Sequence, residues 1–183
     1  VCSYNLNIFE NESYTKQDIE KMISKMLIIG FNGETVNSND EIYKNIKSGL
    51  GGVILFDKDP NDKNKRKNVR NKEQLKVLTS QLQSISKQKL LISIDQEGGI
   101  VQRLKSEDGF VNTLKASEVA LRGENFARTS YKSLAKDLKE SGINNDFAPV
   151  VDLAINKQNK VIVAKGRSFG ESSAEVIKYS SIF

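Results

Sequence analysis

The run Leu90-Leu91-Ile92-Ser93-Ile94 contains one polar residue, and it leads without a break into Asp95, Gln96, Glu97, Gly98 and Gly99. Such a run suits a strand buried on both faces, the kind found in a parallel sheet covered by helices. Parallel strands cannot be joined by tight hairpins, so the chain must supply crossover connections on either side of this strand. In open α/β sheets and α/β barrels, ligands gather at the carboxyl ends of the strands. Asp95 and Glu97 are therefore candidate functional residues on position alone. Gly98 and Gly99 permit positive φ and the close approach of another backbone. An ordinary acidic turn has the same composition, so this stretch by itself leaves both readings open.

The rest of the chain supplies the crossovers. Residues 1–14, with Asn5, Asn7, Glu10 and Asn11, read as an extended leader. Thr15 suits a helix N-cap with Asp18 in the first turn, and Ile19, Met22, Ile23 and Met26 form a helical stripe. Leu27–Phe31 reads as a strand ending at Asn32-Gly33. A helix from about Asn39 carries Ile42, Ile46 and Leu50, closed by Gly49, Gly51 and Gly52, and Val53–Phe56 is the next strand. Leu75, Leu78, Leu82 and Ile85 mark the helix before Leu90. Leu121–Glu140 follows as a helix with Phe126, Leu134 and Leu138 on its apolar side and Ser141-Gly142 as its stop, then Ile143–Val150 as a strand. A loop extends to Arg167, and a last helix begins near Ser172-Ser173. Regular alternation of strand and helix, with about four strands by Val150, predicts a single domain of parallel strands joined by right-handed crossovers.

Composition narrows the chemistry. The 183 residues are fewer than the roughly 250 of a closed eight-stranded barrel. No apolar stretch approaches the length of about 18 residues needed for a membrane span. The net charge is +5, and the most basic segment, Asp57–Lys72, contains no aromatic residue. Base stacking is unsupported there, so no nucleic-acid partner is expected and the segment reads as a solvated loop. The chain contains no histidine, which excludes a Ser-His or Cys-His nucleophile and a histidine-ligated metal. Cys2 has no cysteine partner. It suits either the processed terminus of an envelope lipoprotein or an artificial start, and the compartment is accordingly the bacterial cytoplasm or the envelope.

Four segments, taken together, resemble the amino-terminal catalytic domain of glycoside hydrolase family 3, of the bacterial β-N-acetylglucosaminidase type. They are Gly51–Phe56, Ile94–Gly99 through Val101–Leu104, Asn145–Asp152 and Gly166–Gly170, and they occur in the family's order and approximate spacing. The resemblance implies a (β/α)8 barrel of the TIM type, of which residues 1–183 are about the first half. It also implies a carbohydrate substrate, no cofactor, and release of a terminal β-linked N-acetylglucosamine with retention, from peptidoglycan-derived sugars. It gives Asp95, Arg103 and Arg167 as substrate-binding residues and Glu97, Gly98, Gly99 and Asp152 as residues that shape the site. An ionised carboxylate accepts from vicinal hydroxyls, and an arginine offers a fixed fork of donors, so these residue types fit a sugar. For Arg103 and Arg167 the other reading is an ion pair that shapes the rim.

The chain departs from the family pattern at Ile100, where an arginine is usual, and in the basic run Ile155–Lys165. In the resembled enzymes the nucleophile is an aspartate late in the barrel, and the acid/base is a histidine on a loop after the fifth strand. No catalytic residue is therefore expected among residues 1–183, and this segment alone is expected to be inactive. Asp95 and Glu97 are not read as the catalytic pair, because nothing in the sequence separates their pKa values. An unclosed sheet is expected to be poorly stable and to self-associate through its edge. The rival readings are a family 3 β-glucosidase and a non-catalytic carbohydrate-binding protein of the same fold.

Overall fold

The computed structural model describes residues 14–59, 61–62 and 64–183, so the leader up to residue 13, and Cys2 with it, lies outside the described residues. In chain order the elements are α1 (Lys16–Met26), β1 (Ile28–Gly30), α2 (Glu41–Lys47), β2 (Gly52–Ile54), α3 (Lys72–Ile85), β3 (Leu91–Ile94), β4 (Gln96–Gly98), β5 (Val101–Gln102), α4 (Ala116–Arg122), α5 (Glu124–Glu140), β6 (Asn145–Asp146) and α6 (Ser173–Ile182). Strands β1, β2, β3 and β6 form one parallel sheet in that order, and β4 and β5 form a small antiparallel ribbon above it. Among the described residues the sheet is open, a partial α/β barrel layer flanked by helices.

The period-two pattern divides the sheet into two faces. Val53, Leu55, Ile92 and Ile94 are buried in one cluster with Ile42 and Ile46 of α2 and Leu75, Leu78 and Leu82 of α3. Each fully buried leucine there contributes roughly 1.5–3 kcal/mol relative to exposure, which makes this layer the main stabilising contact of the sheet. Ile54, Ser93 and Asn145 stand in register across β2, β3 and β6, and so share a side of the sheet. Ser93, the polar residue in the apolar run, accepts from Asn145 Nδ2 at 3.0 Å there. A second cluster joins α4, α5 and α6 through Val119, Ala127, Tyr131, Leu134, Phe169, Val176 and Tyr179.

Helix α1 starts where the sequence predicts. Thr15 Oγ1 accepts from Asp18 N at 3.1 Å, and Thr15 N donates to Asp18 Oδ2 at 3.1 Å, a reciprocal cap. Its stripe Ile19, Met22, Ile23 and Met26 is nevertheless exposed.

Three expectations change. The helix expected over Leu121–Glu140 is two helices, because Gly123, at φ +85°, ends α4 and begins α5. The strand expected over Ile143–Val150 contracts to β6; after Phe147 N donates to Ile94 O at 2.9 Å the chain leaves the sheet. The basic run is not a merely solvated loop. Arg66 pairs with Asp108, Arg70 with Glu34 and Lys72 with Asp137, while Asn68 and Val69 are wholly buried. Several of its charges are thus already neutralised within the protein.

Candidate active site

The carboxyl ends of β1 and β2 are tied together by a residue from that same run. Asn68 Nδ2 donates to Phe31 O at 3.1 Å and Gly33 O at 3.0 Å beyond β1, and Asn68 Oδ1 accepts from Phe56 N at 3.0 Å beyond β2. All three polar groups are backbone groups that a buried loop must otherwise leave unpaired. Phe56, held in this way, lies under the Arg103 guanidinium, 5.2 Å from its ring centroid. Asp57, the next residue, is buried and pairs with Lys105 at 2.6 Å, and it stands 3.9 Å from Arg103.

At the end of β3 the side chains diverge. Asp95 Oδ2 accepts from Arg103 Nη2 at 2.9 Å. Gln96 is buried, and its side chain staples the returning chain: Oε1 accepts from Arg103 N at 2.8 Å and Leu104 N at 2.9 Å, while Nε2 donates to Leu104 O at 3.0 Å. Glu97 receives both prongs of Arg167, Nε at 2.8 Å and Nη2 at 2.6 Å. This planar fork couples the β3 loop to the loop before α6, seventy positions away. Glu97 is the main cause of the upward shift of the Arg167 pKa, followed after the opposing effect of burial by the fields of Asp152 and Asp95.

Gly98 and Gly99 are required by space as well as by φ, at +96° and +60°. A Cβ on Gly98 would stand 2.5 Å from Leu114 O, and one on Gly99 would stand 2.6 Å from Lys115 Cβ. The β4–β5 ribbon therefore packs directly on the 113–115 segment, with Gly99 N donating to Thr113 O at 2.8 Å.

Asp146, at the end of β6, adds a fourth carboxyl group to Asp57, Asp95 and Glu97. Its Oδ1 accepts from Gln96 N at 3.0 Å, and its Oδ2 is buried without a partner among the described residues. Burial is the largest cause that pushes its pKa up to about 6; the neighbouring charges of Asp95 and Glu97 add to it, and the Gln96 hydrogen bond opposes it. The folded chain thus holds this proton more tightly than the unfolded chain, whose aspartate titrates at about pH 4. The stability it contributes is fully present below that pH and is lost as pH rises to about 6. Denaturant unfolding across pH should show Asp146→Asn becoming more stable relative to the wild type between these limits, with no further change above. A difference independent of pH would contradict a buried carboxyl at this position.

The structure brings Asp95, Arg103, Glu97 and Arg167 into two adjoining ion pairs on one rim. Asp152 stays exposed, pairs with no cation through its carboxylate among the described residues, and its carbonyl accepts from Ser168 Oγ at 2.6 Å. Sequence reasoning missed Asp57, Asn68, Gln96 and Asp146. Gln96 and Asp146 lie within the family-like segments and offered a signal; Asn68, one of four asparagines in a polar run, offered none. Among the described residues no cluster of three or more acidic or cysteine side chains is arranged to hold a metal ion, and no helix is long and apolar enough to cross a membrane. What remains is a wall of fixed carboxylate acceptors and guanidinium donors, suited to a neutral, hydroxyl-rich ligand.

Most of the chain is similar to known proteins. The family model described as the glycosyl hydrolase family 3 N terminal domain matches residues 18–183. A beta-hexosaminidase A from Pseudoalteromonas piscicida is 37% identical over 137 residues, 70% of this chain and 21% of that protein. A beta-hexosaminidase from Photobacterium profundum is 30% identical over 134 residues, 73% of this chain and 36% of that protein. The chain therefore spans well under half the length of these relatives. Among solved structures, a glycoside hydrolase family 3 beta-N-acetylglucosaminidase from Paenibacillus sp. str. FPU-7 superposes with a TM-score of 0.77 at 28% identity, covering 90% of this chain and 30% of that one. NagZ from Neisseria gonorrhoeae in complex with N-trifluoroacetyl-D-glucosamine gives 0.67 at 25% identity, with 85% and 45% covered.

Proposed function

The chain belongs to the glycosyl hydrolase family 3 N-terminal domain family, and from that membership we propose that its rim is the sugar-binding wall of an exo-acting, retaining β-N-acetylglucosaminidase. The observation that carries this reading is the Asp95–Arg103 pair at the carboxyl end of β3, at 2.9 Å, with Arg103 steadied by Asp57 and by the face of Phe56. One carboxylate oxygen is engaged by the arginine, which leaves the other to accept from sugar hydroxyls. Arg167 extends the wall, oriented by Glu97, and Gly98 and Gly99 bring the ribbon close enough to form it. The names of the relatives support an N-acetylhexosamine as the bound sugar, and peptidoglycan-derived oligosaccharides are the source we propose. Bond cleavage is assigned to groups outside residues 1–183: this wall binds and orients, and it supplies neither nucleophile nor acid.

The test is turnover of aryl β-glycosides by the full-length protein. We expect kcat/KM for the N-acetylglucosaminide to exceed that for the glucoside by at least about a hundredfold, because a site built to hydrogen-bond an acetamido group leaves polar groups unpaired when that group is missing. Preference for the glucoside would replace this reading with a β-glucosidase, and binding of the sugar without turnover would make the protein a carbohydrate-binding one.

A further inference from the structure

We infer that Asp146 is a positioning residue for this wall: by accepting from the peptide N–H between Asp95 and Glu97, it sets where both of those carboxylates stand. The inference rests on the hexosaminidase reading and adds to it a residue that lies outside the two rim ion pairs. Strand β6 ends at Asp146, paired in register with Ile94, the last residue of β3. The end of one strand therefore reaches over the first peptides beyond the other. Gln96 is clamped from both sides, its backbone N–H by Asp146 Oδ1 at 3.0 Å and its side chain by Arg103 N, Leu104 N and Leu104 O. Asp95 and Glu97 flank this clamped residue, and each carries an arginine with it, Arg103 and Arg167 respectively.

Without the acceptor, Gln96 N is left unpaired in a buried residue, and the cheapest relief is rotation of the peptide toward water. Rotation there displaces Asp95 and Glu97 together, because they are its immediate neighbours. A displacement of about 1 Å at a residue that orients substrate lowers efficiency by up to roughly a hundredfold. Asp146 itself has no oxygen to offer the sugar in this arrangement, since Oδ1 is engaged and Oδ2 is buried. Its influence passes through Gln96.

The test compares the wild type, Asp146→Ala and Asp146→Asn in the full-length protein with an aryl β-N-acetylglucosaminide. Asparagine keeps the oxygen acceptor for Gln96 N, so its KM should stay within about threefold of the wild type. Alanine should raise KM about tenfold or more with kcat within about threefold, the pattern of lost binding in ground and transition state alike. Asp146→Ser, which shortens the side chain but leaves a polar group in place, is the companion variant if the alanine protein does not fold. A variant with lowered thermal stability and unchanged KM would make Asp146 a structural tie only and overturn the inference, as would an asparagine variant no better than alanine. An inactive wild type would sink the hexosaminidase reading and the inference with it, whereas an active wild type with unmoved variants would sink the inference alone.

Discussion

Asp95→Ala should lower kcat/KM of the full-length protein for an aryl β-N-acetylglucosaminide by about a hundred- to a thousandfold while leaving its melting temperature within a few degrees of the wild type. A charge-assisted hydrogen bond contributes roughly 1.5–3 kcal/mol, so losing two sugar hydroxyl contacts at the lower end of that range removes about 3–4 kcal/mol, and each 1.4 kcal/mol is a tenfold effect. The fold tolerates the change because Asp95 is only partly buried, with its side chain 26% exposed, and Arg103 retains Asp57 and the Phe56 ring. Asp95→Asn keeps the shape and loses the charge, so it should fall between the two. Wild-type kinetics in the alanine variant would remove Asp95 from the site. A large loss of stability with normal kinetics in the folded fraction would assign it to the rim's architecture instead.

How far the sequence disclosed this site follows from the physics of each residue. The strand into Asp95 was legible because the burial of Leu90, Ile92, Ser93 and Ile94 imposes a mostly apolar run, although Leu91 is exposed, and a carboxylate after such a run has few structural uses. The layer of Leu75, Leu78 and Leu82 was legible for a similar reason, since its spacing repeats along one helix. Asn68 was hidden because its value lies in three backbone groups contributed by distant loops, and nothing local sets it apart from Asn61, Asn64 and Asn71 in the same charged stretch. Asp57 was hidden in the same run, because its ion pair with Lys105 is a tertiary contact with no local trace. The break at Gly123 escaped because a lone glycine between two helical stripes is compatible with continuation, and only its φ of +85° decides the matter. Strand β6 is short because its length is set by the position of its neighbour β3 rather than by the propensities of residues 143–150. Local pattern thus revealed the elements and the charged rim, while the cross-links that orient the rim arose only from tertiary contact.

The cross-link with the largest effect on stability is Glu97–Arg167, and a double-mutant cycle should expose it. The two side chains are 10% and 20% exposed, so removing either leaves a charge largely withdrawn from water without its partner. Breaking a buried pair costs about 3–5 kcal/mol, and the residual exposure of Arg167 puts both Glu97→Ala and Arg167→Ala near the lower end, about 2–3 kcal/mol each. For a domain of this size that lowers the melting temperature by roughly 4–12 °C. The double variant has no stranded charge, so it should be destabilised by less than the sum of the single variants, with a coupling of about 1.5–3 kcal/mol. Arg167→Lys should recover only part of the loss, because an ammonium cannot reproduce the two-pronged contact made by Nε and Nη2. Urea unfolding of the four proteins supplies the cycle, and strictly additive effects would show that the fork does not couple the two loops. The same coupling bears on binding. If Arg167 binds the sugar as proposed, it does so in the orientation that Glu97 imposes, so Glu97→Ala should also raise KM, by a factor that Glu97→Gln, still able to accept from Arg167, reduces.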